Sequence, residues 1–250
     1  MKRESLRDTW VEVSLSAIRD NVLAFKEHLK EKSSILAVVK ADGYGHGAEE
    51  VGKAALEAGA DGLGVAFLDE ALELRSAGID APILILGYTK PDAVQQAIAE
   101  DITLTVYSED VLKAVESACA TLKKRAKVHL KVDTGMSRIG VKSKEDALEL
   151  LETITSDAIE VEGIFTHFAD ADNPDDTYTK KQFTRFMEVV EHLEANGFHI
   201  PIKHCCNSAA TIRFPEMHLD MCRVGISLYG LYPDDHLKNM IQLTQAMSFR

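Results

Sequence analysis

The chain has 250 residues, of which 46% are hydrophobic and 27% are charged, a composition typical of a soluble globular protein with a full hydrophobic core. Its 28 basic and 40 acidic residues give a net charge of −12, which argues against nucleic acid or an anionic membrane surface as a partner. No apolar signal segment follows the charged first eight residues, and no run approaches the ~18 apolar residues of a membrane span. We therefore expect a cytoplasmic protein.

The two ends of the chain differ from the rest. Residues 10–15 alternate like an extra antiparallel strand, and residues 240–250 begin another extended apolar stretch. We expect both to belong to a second, β-rich domain whose remainder is missing from this sequence. Residues 1–15 would be its N-terminal strand segment, and residues 240–250 its truncated start.

Between these ends, residues 16–239 alternate short apolar runs with amphipathic helices, for which Ser16 and Ser143 are predicted N-caps. Such alternation predicts parallel βαβ units, and eight of them predict a closed (β/α)8 barrel of the TIM type. A doubly wound open sheet is the alternative, but no GxGxxG turn follows the first strand of this region. The eight predicted barrel strands are 35–39, 62–67, 83–86, 102–106, 126–132, 159–165, 200–205 and 219–224.

Lys40 is the most informative single residue. It ends the apolar run 35–39 and opens a glycine-rich turn at 43–47, so the strand pattern predicts that its amine is nearly dry. Burial disfavours the charged form of a lysine and leaves a nucleophilic amine, which is how proteins anchor an aldehyde cofactor such as pyridoxal phosphate. The alternative is a lysine that ends a strand and reaches water.

Other strand ends carry groups that suit a phosphate. In (β/α)8 barrels the active site lies at the C-terminal ends of the strands, and phosphate is often held after the last two. Asn207 and Ser208 follow the seventh strand and are placed to open a helix with free amides and a hydroxyl. Gly225 and Ile226 follow the eighth strand and offer backbone donors to the same anion.

We expect no metal ion in this protein. His167, His204 and Asp170 are ligand types, but no HExxH pair or paired cysteine spacing accompanies them. The absence of a GxSxG turn also argues against a serine hydrolase.

Five segments occur together in this chain: AVVKADGYGHG, KVDTGMSRIG, THFADAD, NSAAT and RVGISLYG. In this order and spacing they closely resemble the alanine racemases, which are pyridoxal-phosphate enzymes that interconvert L- and D-alanine for bacterial cell walls. The resemblance covers essentially the whole chain. It implies a barrel domain, pyridoxal 5'-phosphate as the cofactor and alanine as the substrate. The family more often has alanine at the position of Gly43.

The resemblance also implies a role for each matching residue. Lys40 would form the Schiff base with the cofactor and act as the base for the D-enantiomer. Arg138 would contact the phenolic oxygen and the substrate carboxylate, oriented by Lys131, whose position is carbamylated in many members. His167 would support Arg223. The remaining implied cofactor contacts are Tyr44, Leu86, Asn207, Ser208, Gly225 and Ile226, together with Arg223 itself.

Arg223 carries the most mechanistic information. In this family an arginine faces the pyridine nitrogen, where most pyridoxal-phosphate enzymes place a carboxylate. A guanidinium does not give up its proton, so we expect the ring nitrogen to stay unprotonated and the ring to be a weaker electron sink. Our hypothesis is that a shorter-lived carbanion favours reprotonation at Cα over transamination.

Racemisation also needs a second base on the opposite face of Cα. In the family this is a tyrosine from the C-terminal domain of the partner subunit of a homodimer, and Tyr88, Tyr178, Tyr229 and Tyr232 do not match its motif. We therefore expect reduced or lost activity for the barrel domain alone. A non-catalytic pyridoxal-phosphate carrier, a decarboxylase of basic amino acids and a Schiff-base aldolase are the alternatives, and Arg223 argues against the decarboxylase.

Overall fold

The computed structural model describes residues 8–30 and 32–250. The strands of this part of the chain are β1 (Val11–Val13), β2 (Ser34–Val38), β3 (Gly62–Val65), β4 (Ile83–Ile85), β5 (Leu104–Val106), β6 (Ala126–Lys131), β7 (Ile159–Phe165), β8 (Ile202–His204), β9 (Met221–Val224) and β10 (Met247–Phe249). The right-handed α-helices are Leu15–His28, Ala48–Glu57, Leu68–Ser76, Pro91–Ala99, Glu109–Leu122, Lys144–Glu152, Thr177–Ala195 and Ser208–Arg213. None of the helices described is long and apolar enough to span a bilayer.

Strands β2 to β9 close into a parallel barrel in sequence order. Hydrogen-bonded ladders join β9-β2-β3-β4 and β5-β6-β7-β8. A parallel bridge between Leu84 and Thr103 joins β4 to the residues just before β5. The amide of Arg223 donates to the carbonyl of Cys206 at 3.1 Å and joins β9 to the end of β8. The closed ring confirms the predicted (β/α)8 barrel, since an open sheet would leave two free edges.

The barrel strands are continuous apolar runs because both of their faces are covered. Every residue of β3, β4 and β5 is buried, with helices outside and the barrel interior inside. The interior of the other half is more polar, because His129, Lys131, His204 and Arg223 are all buried there. Buried polar groups need hydrogen-bond partners, so this half of the barrel is where a functional network is expected.

Two helix N-caps test the local predictions. Ser143 caps its helix as predicted, since its Oγ accepts the amide of Asp146 at 3.0 Å. The predicted cap at Ser16 is wrong, because Ser14 Oγ accepts the amide of Ala17 at 3.2 Å and the helix begins at Leu15. Ser14 is the first residue after β1 and still has extended backbone angles, which is the conformation an N-cap requires.

Both predicted terminal strands are present and pair with each other. β1 and β10 are antiparallel, with Val11 opposite Phe249 and Val13 opposite Met247. The ribbon lies outside the barrel, and Phe249 is 81% exposed. The assignment of residues 1–15 and 240–250 to a second domain stays a prediction, and residues 1–7 lie outside the described part of the chain.

Candidate active site

A cavity of about 430 Å³ lies at the C-terminal ends of the barrel strands. Four of its lining residues are lysines or arginines, and Asp172 is the single carboxylate among the described lining residues. This charge balance favours an anionic ligand. The cavity brings together all the site residues predicted from the sequence, namely Lys40, Tyr44, Leu86, Lys131, Arg138, His167, Asn207, Ser208, Arg223, Gly225 and Ile226.

Lys40 enters this cavity from a turn of left-handed helix. The four residues 41–44 have φ between +52° and +60° and ψ between 35° and 52°. This conformation costs about 1–2 kcal/mol for each residue other than glycine, and only Gly43 adopts it freely. The turn is closed by the amide of Gly43, which donates to the carbonyl of Val39 at 2.8 Å. Contacts from outside the turn must offset the remaining strain.

Glu70, which is not among the site residues predicted from the sequence, supplies such contacts. Its Oε1 accepts the amide of Ala41, directly after Lys40, at 2.6 Å. Its Oε2 accepts the amides of Ala66 at 2.6 Å and Phe67 at 3.2 Å. One carboxylate therefore ties the end of β2 to the end of β3. Its position in the first turn of a helix was a visible signal for the cap, but not for the contact with Ala41.

The prediction that Lys40 is dry is wrong. Lys40 is half-buried, and its Nζ lies 5.8 Å from the centre of the Tyr44 ring. The dry lysine of the site is Lys131, which is 2% exposed. Burial, reinforced by the charges of Arg223 and Arg138, holds the pKa of Lys131 well below its usual range. The cavity thus contains one half-buried amine and one buried amine whose charged form is disfavoured.

The residues of the predicted phosphate cradle lie together at the ends of β8 and β9. Asn207 caps the helix Ser208–Arg213, because its Oδ1 accepts the amide of Ala210 at 3.0 Å. Ser208 Oγ accepts the amide of Gly225 at 2.9 Å, so this oxygen is held in place while its proton stays available to a ligand. The amide of Gly225 is thereby used within the protein, and the amide of Ile226 has no acceptor among the described residues.

Tyr44 completes the cradle from the opposite side. An ideal Cβ at Gly225 would lie 2.7 Å from the Tyr44 hydroxyl oxygen, so glycine is required for this close approach. Burial raises the pKa of Tyr44, which keeps the phenol protonated and able to donate. Ser227 Oγ is buried beside this cradle and has no partner among the described residues. The donor set fits a phosphate group.

Arg223 lies at the base of the cavity and is 3% exposed. Its NH2 donates to the carbonyls of Thr166 at 2.7 Å and Cys205 at 3.1 Å. Its NH1 contacts Nδ1 of His204 at 2.9 Å, and its NH2 lies 3.4 Å from Nδ1 of His167. No carboxylate contacts it within the described ranges. All its partners are neutral, and its Nε–H has no protein acceptor among the described residues.

The histidines around Arg223 are uncharged for a physical reason. Burial comes first and the charge of Arg223 second in holding the pKa values of His167 and His204 well below the usual range. Burial also lowers the pKa of His129, which lies deeper in the barrel. A neutral imidazole keeps one unprotonated nitrogen, so His167 and His204 can accept hydrogen bonds from the guanidinium.

Other clefts and side-chain clusters of the described structure are weaker candidates for an active site. A larger cleft of about 670 Å³ lies beside residues 132–144, but Arg138 is the only predicted site residue that lines it. No group of three histidine, cysteine, aspartate or glutamate side chains in the described part of the chain forms a metal site. Asp133, at the edge of this cleft, accepts the amides of Gly135 and Ser137 and so stabilises the turn that follows β6.

Four histidines, His129, His167, His204 and His218, predict acid-sensitive stability. In the unfolded chain they take up protons as the pH falls through about 6.5, whereas in the native state their lowered pKa values disfavour protonation. The free energy of unfolding should therefore fall with decreasing pH, with a limiting slope of about 5 kcal/mol per pH unit for four groups. Urea unfolding between pH 7 and 5.5 measures this slope.

His129→Gln should reduce this slope by one proton, and the exposed His199→Gln serves as the matched control with no change. A free energy of unfolding that does not vary over this pH range would show that the native histidines titrate normally.

Comparison with known proteins agrees with this geometry. A family model described as alanine racemase, N-terminal domain, matches residues 13–233. Alanine racemase 1 of Oceanobacillus iheyensis is 61% identical over 251 residues, covering 100% of this chain and 67% of that protein. The alanine racemase of Methanococcus maripaludis is 50% identical, covering 96% of this chain and 65% of that protein. The chain thus spans about two thirds of the length of these relatives.

Solved structures give the same result. An alanine racemase of Clostridium difficile in complex with cycloserine superimposes with a TM-score of 0.95 at 41% identity, covering 98% of this chain and 68% of that one. The alanine racemase of Bacillus anthracis with bound L-Ala-P has a TM-score of 0.93 at 40% identity, covering 98% of this chain and 64% of that one. The chain belongs to the alanine racemase family.

Proposed function

We propose that this chain is the pyridoxal-phosphate-binding barrel of an alanine racemase. The observation that carries the proposal is a single cationic cavity that holds an open lysine amine, a phosphate cradle and a guanidinium without a carboxylate partner. A primary amine suits the carbonyl of the cofactor, the hydroxyls of Tyr44 and Ser208 suit its phosphate, and Arg223 suits its ring nitrogen. The donor set matches pyridoxal 5'-phosphate group by group.

The residues of the chain then have distinct tasks. Bound pyridoxal phosphate would supply an electron sink that makes the Cα proton of an amino acid removable. Lys40 would hold the cofactor through its amine and would move the proton at Cα on one face. Tyr44, Ser208 and Ile226 would bind the phosphate, with Asn207 and Gly225 shaping the cradle, and Leu86 would pack beside the ring. His167 would help to hold Arg223, which would donate a hydrogen bond to the pyridine nitrogen.

Arg138 would bind the substrate, and Lys131 would orient Arg138. Arg138 is exposed at the rim of the cavity, where its guanidinium can meet the carboxylate of alanine. We propose that Lys131 is carbamylated, because burial favours its neutral amine, which can form a bond to the carbon of CO2 and lose a proton. The resulting anion would lie close to Arg138 and Arg223, whose charges lower the pKa of Lys131.

The presence of Arg138 at the rim of the cavity favours an enzyme over a non-catalytic carrier of the cofactor. A carrier needs the amine and the phosphate cradle, but it has no use for a second guanidinium at the rim. Arg138 is therefore the feature that separates the two. The proposal extends to the biological role that the resemblance implies, which is the supply of D-alanine for cell-wall precursors in the cytoplasm.

Trapping the cofactor tests the proposal directly. Incubation with pyridoxal phosphate and reduction with borohydride should attach a pyridoxyl group to Lys40, identified by peptide mass spectrometry. Lys40→Ala should abolish the adduct, and Lys53→Ala, at an exposed lysine in an ion pair with Glu49, should leave it unchanged. No adduct, or an adduct confined to other lysines, would refute the assignment.

Racemisation by these 250 residues alone should be slow. Apart from Tyr44 in the phosphate cradle, no tyrosine lines the cavity within the described ranges, so an opposing base for Lys40 is missing there. The resemblance assigns that base to a tyrosine of a partner subunit. Loss of a positioned base commonly costs about 10²–10⁴-fold in rate.

The measurement is D-alanine formation from L-alanine by the chain loaded with pyridoxal phosphate. The 61%-identical racemase of Oceanobacillus iheyensis is the reference, and Lys40→Ala is the blank. Turnover equal to that of the reference would contradict the need for a base from elsewhere.

A further inference from the structure

A chain of buried polar groups continues from Arg223 through the barrel interior. Nε2 of His204 lies 2.9 Å from Nδ1 of His129 on β6. Nε2 of His129 lies 3.4 Å from Oε2 of Glu162 on β7. His204 is 0% exposed and His129 is 2% exposed. At its far end Glu162 also contacts Lys127, whose side chain is 54% exposed. The four groups connect the base of the cavity to the outer surface of the barrel.

The direction of the hydrogen bonds in this chain is determined at both ends. An arginine can only donate, so Nδ1 of His204 must accept and the proton of this neutral ring is on Nε2. His204 then donates to Nδ1 of His129, whose proton is likewise on Nε2. His129 donates to the carboxylate of Glu162, which can only accept. Every donor from Arg223 to Glu162 therefore meets an acceptor, and both histidines carry their proton on Nε2.

The charges along the chain support this assignment. Burial keeps both histidines neutral, as described above. The hydrogen bond from His129 and the contact with Lys127 lower the pKa of Glu162 to about 2, so its carboxylate stays ionised near neutral pH. A buried positive group and a half-buried negative group are thus joined through two neutral rings. Arg223, which has no adjacent carboxylate, is connected in this way to a distant one.

The backbone leaves space for the side chains of this series of hydrogen bonds. An ideal Cβ at Gly163 would lie 2.4 Å from Nδ1 of His129, so the imidazole occupies the space of a side chain at that position. The ladder between β6 and β7 has its register shift at Val128 and His129, which places the ring across Gly163. The Phe165 ring stacks on His204 at 4.7 Å and 9° and fixes the second imidazole.

We propose that Glu162 is a positioning residue for Arg223, acting through His129 and His204. Its carboxylate holds both rings in the Nε2–H tautomer, which gives the NH1 group of Arg223 an acceptor and keeps the guanidinium aimed at the cavity. The part of this proposal that concerns the cofactor rests on the proposed function, because only there does Arg223 face a pyridine nitrogen.

Removal of Glu162 should disrupt this series of hydrogen bonds in a specific way. The Nε2–H of His129 would be buried without an acceptor, a state that costs free energy. A shift of its proton to Nδ1 would relieve this by donation to His204, whose own proton would then be on Nδ1. That proton would face the N–H of Arg223, two donors would meet, and Arg223 would lose its position.

The histidine tautomers of the wild-type protein test the assignment. Nitrogen-15 NMR of labelled histidine, recorded without cofactor at pH 7, should show both His129 and His204 neutral and protonated on Nε2, with His129→Gln and His204→Gln used to assign the signals. A proton on Nδ1 of either ring, or a doubly protonated ring, would overturn the proposal. This measurement does not depend on whether the chain binds pyridoxal phosphate.

Substitutions test the effect on Arg223. Glu162→Leu should shift His129 or His204 away from the Nε2–H tautomer and weaken pyridoxal-phosphate binding about 2- to 30-fold, the range typical of residues that act through a network. Glu162→Gln keeps an acceptor oxygen and should restore the tautomers. Lys127→Gln is the matched control, because it removes the other partner of Glu162. It should change neither the histidine tautomers nor the affinity for pyridoxal phosphate.

The outcomes separate this proposal from the proposed function. If the wild type binds the cofactor and Glu162→Leu leaves both the histidine signals and the affinity unchanged, the positioning role is refuted and the proposed function stands. If the wild type does not bind the cofactor, the proposed function fails, and the tautomers alone decide the role of Glu162.

Discussion

Arg223 carries a positive charge in the barrel interior, and no carboxylate of the described residues contacts it. The surrounding groups stabilise this charge by hydrogen bonds. Burying an unpaired charge is costly unless hydrogen bonds replace its water. Two carbonyls and two imidazoles do so here. The charge in turn requires those imidazoles to be neutral, because a second cation at about 3 Å would be strongly repelled. The polar half of the barrel follows from this requirement.

The same charge organises the rest of the cavity. Together with burial and Arg138, it lowers the pKa of Lys131 and so favours the neutral amine, which can do chemistry that an ammonium group cannot. Lys40 is placed differently, on a strained left-handed turn that Glu70 ties to the neighbouring strand. Strain in a turn that carries a functional residue persists only where its neighbours determine it, and Glu70 is one such neighbour. The two lysines are thus held in different environments by different contacts.

Much of this architecture could be predicted from the sequence. The eight barrel strands and the ring of candidate residues followed from apolar runs and from the polar groups at their ends, since parallel strands bring those ends together. The terminal strands were also predictable from alternation. The first helix was placed at Ser16 instead of Ser14, because the end of β1 at Val13 depends on pairing with β10, more than 200 residues away. Glu70, His129 and Glu162 were not predicted, since their roles arise from contacts between different strands and helices.

The exposure of the two lysines could not be predicted from the sequence either. Lys40 and Lys131 both end barrel strands in apolar surroundings, and no local pattern tells which amine is covered. The covering of Lys131 depends on its position among Phe165, Arg223 and the loop that follows β6. Burial at a strand end is therefore a tertiary property, whereas the strand end itself is a local one.

We propose that Arg223 faces the cofactor as a permanent donor, and the protonation state of the pyridine nitrogen tests this role. Pyridoxal phosphate labelled with nitrogen-15 at the ring, bound to the protein, should show an unprotonated, hydrogen-bonded ring nitrogen. Arg223→Glu should convert it to the protonated form. A pyridinium signal in the wild-type protein would contradict this role of Arg223.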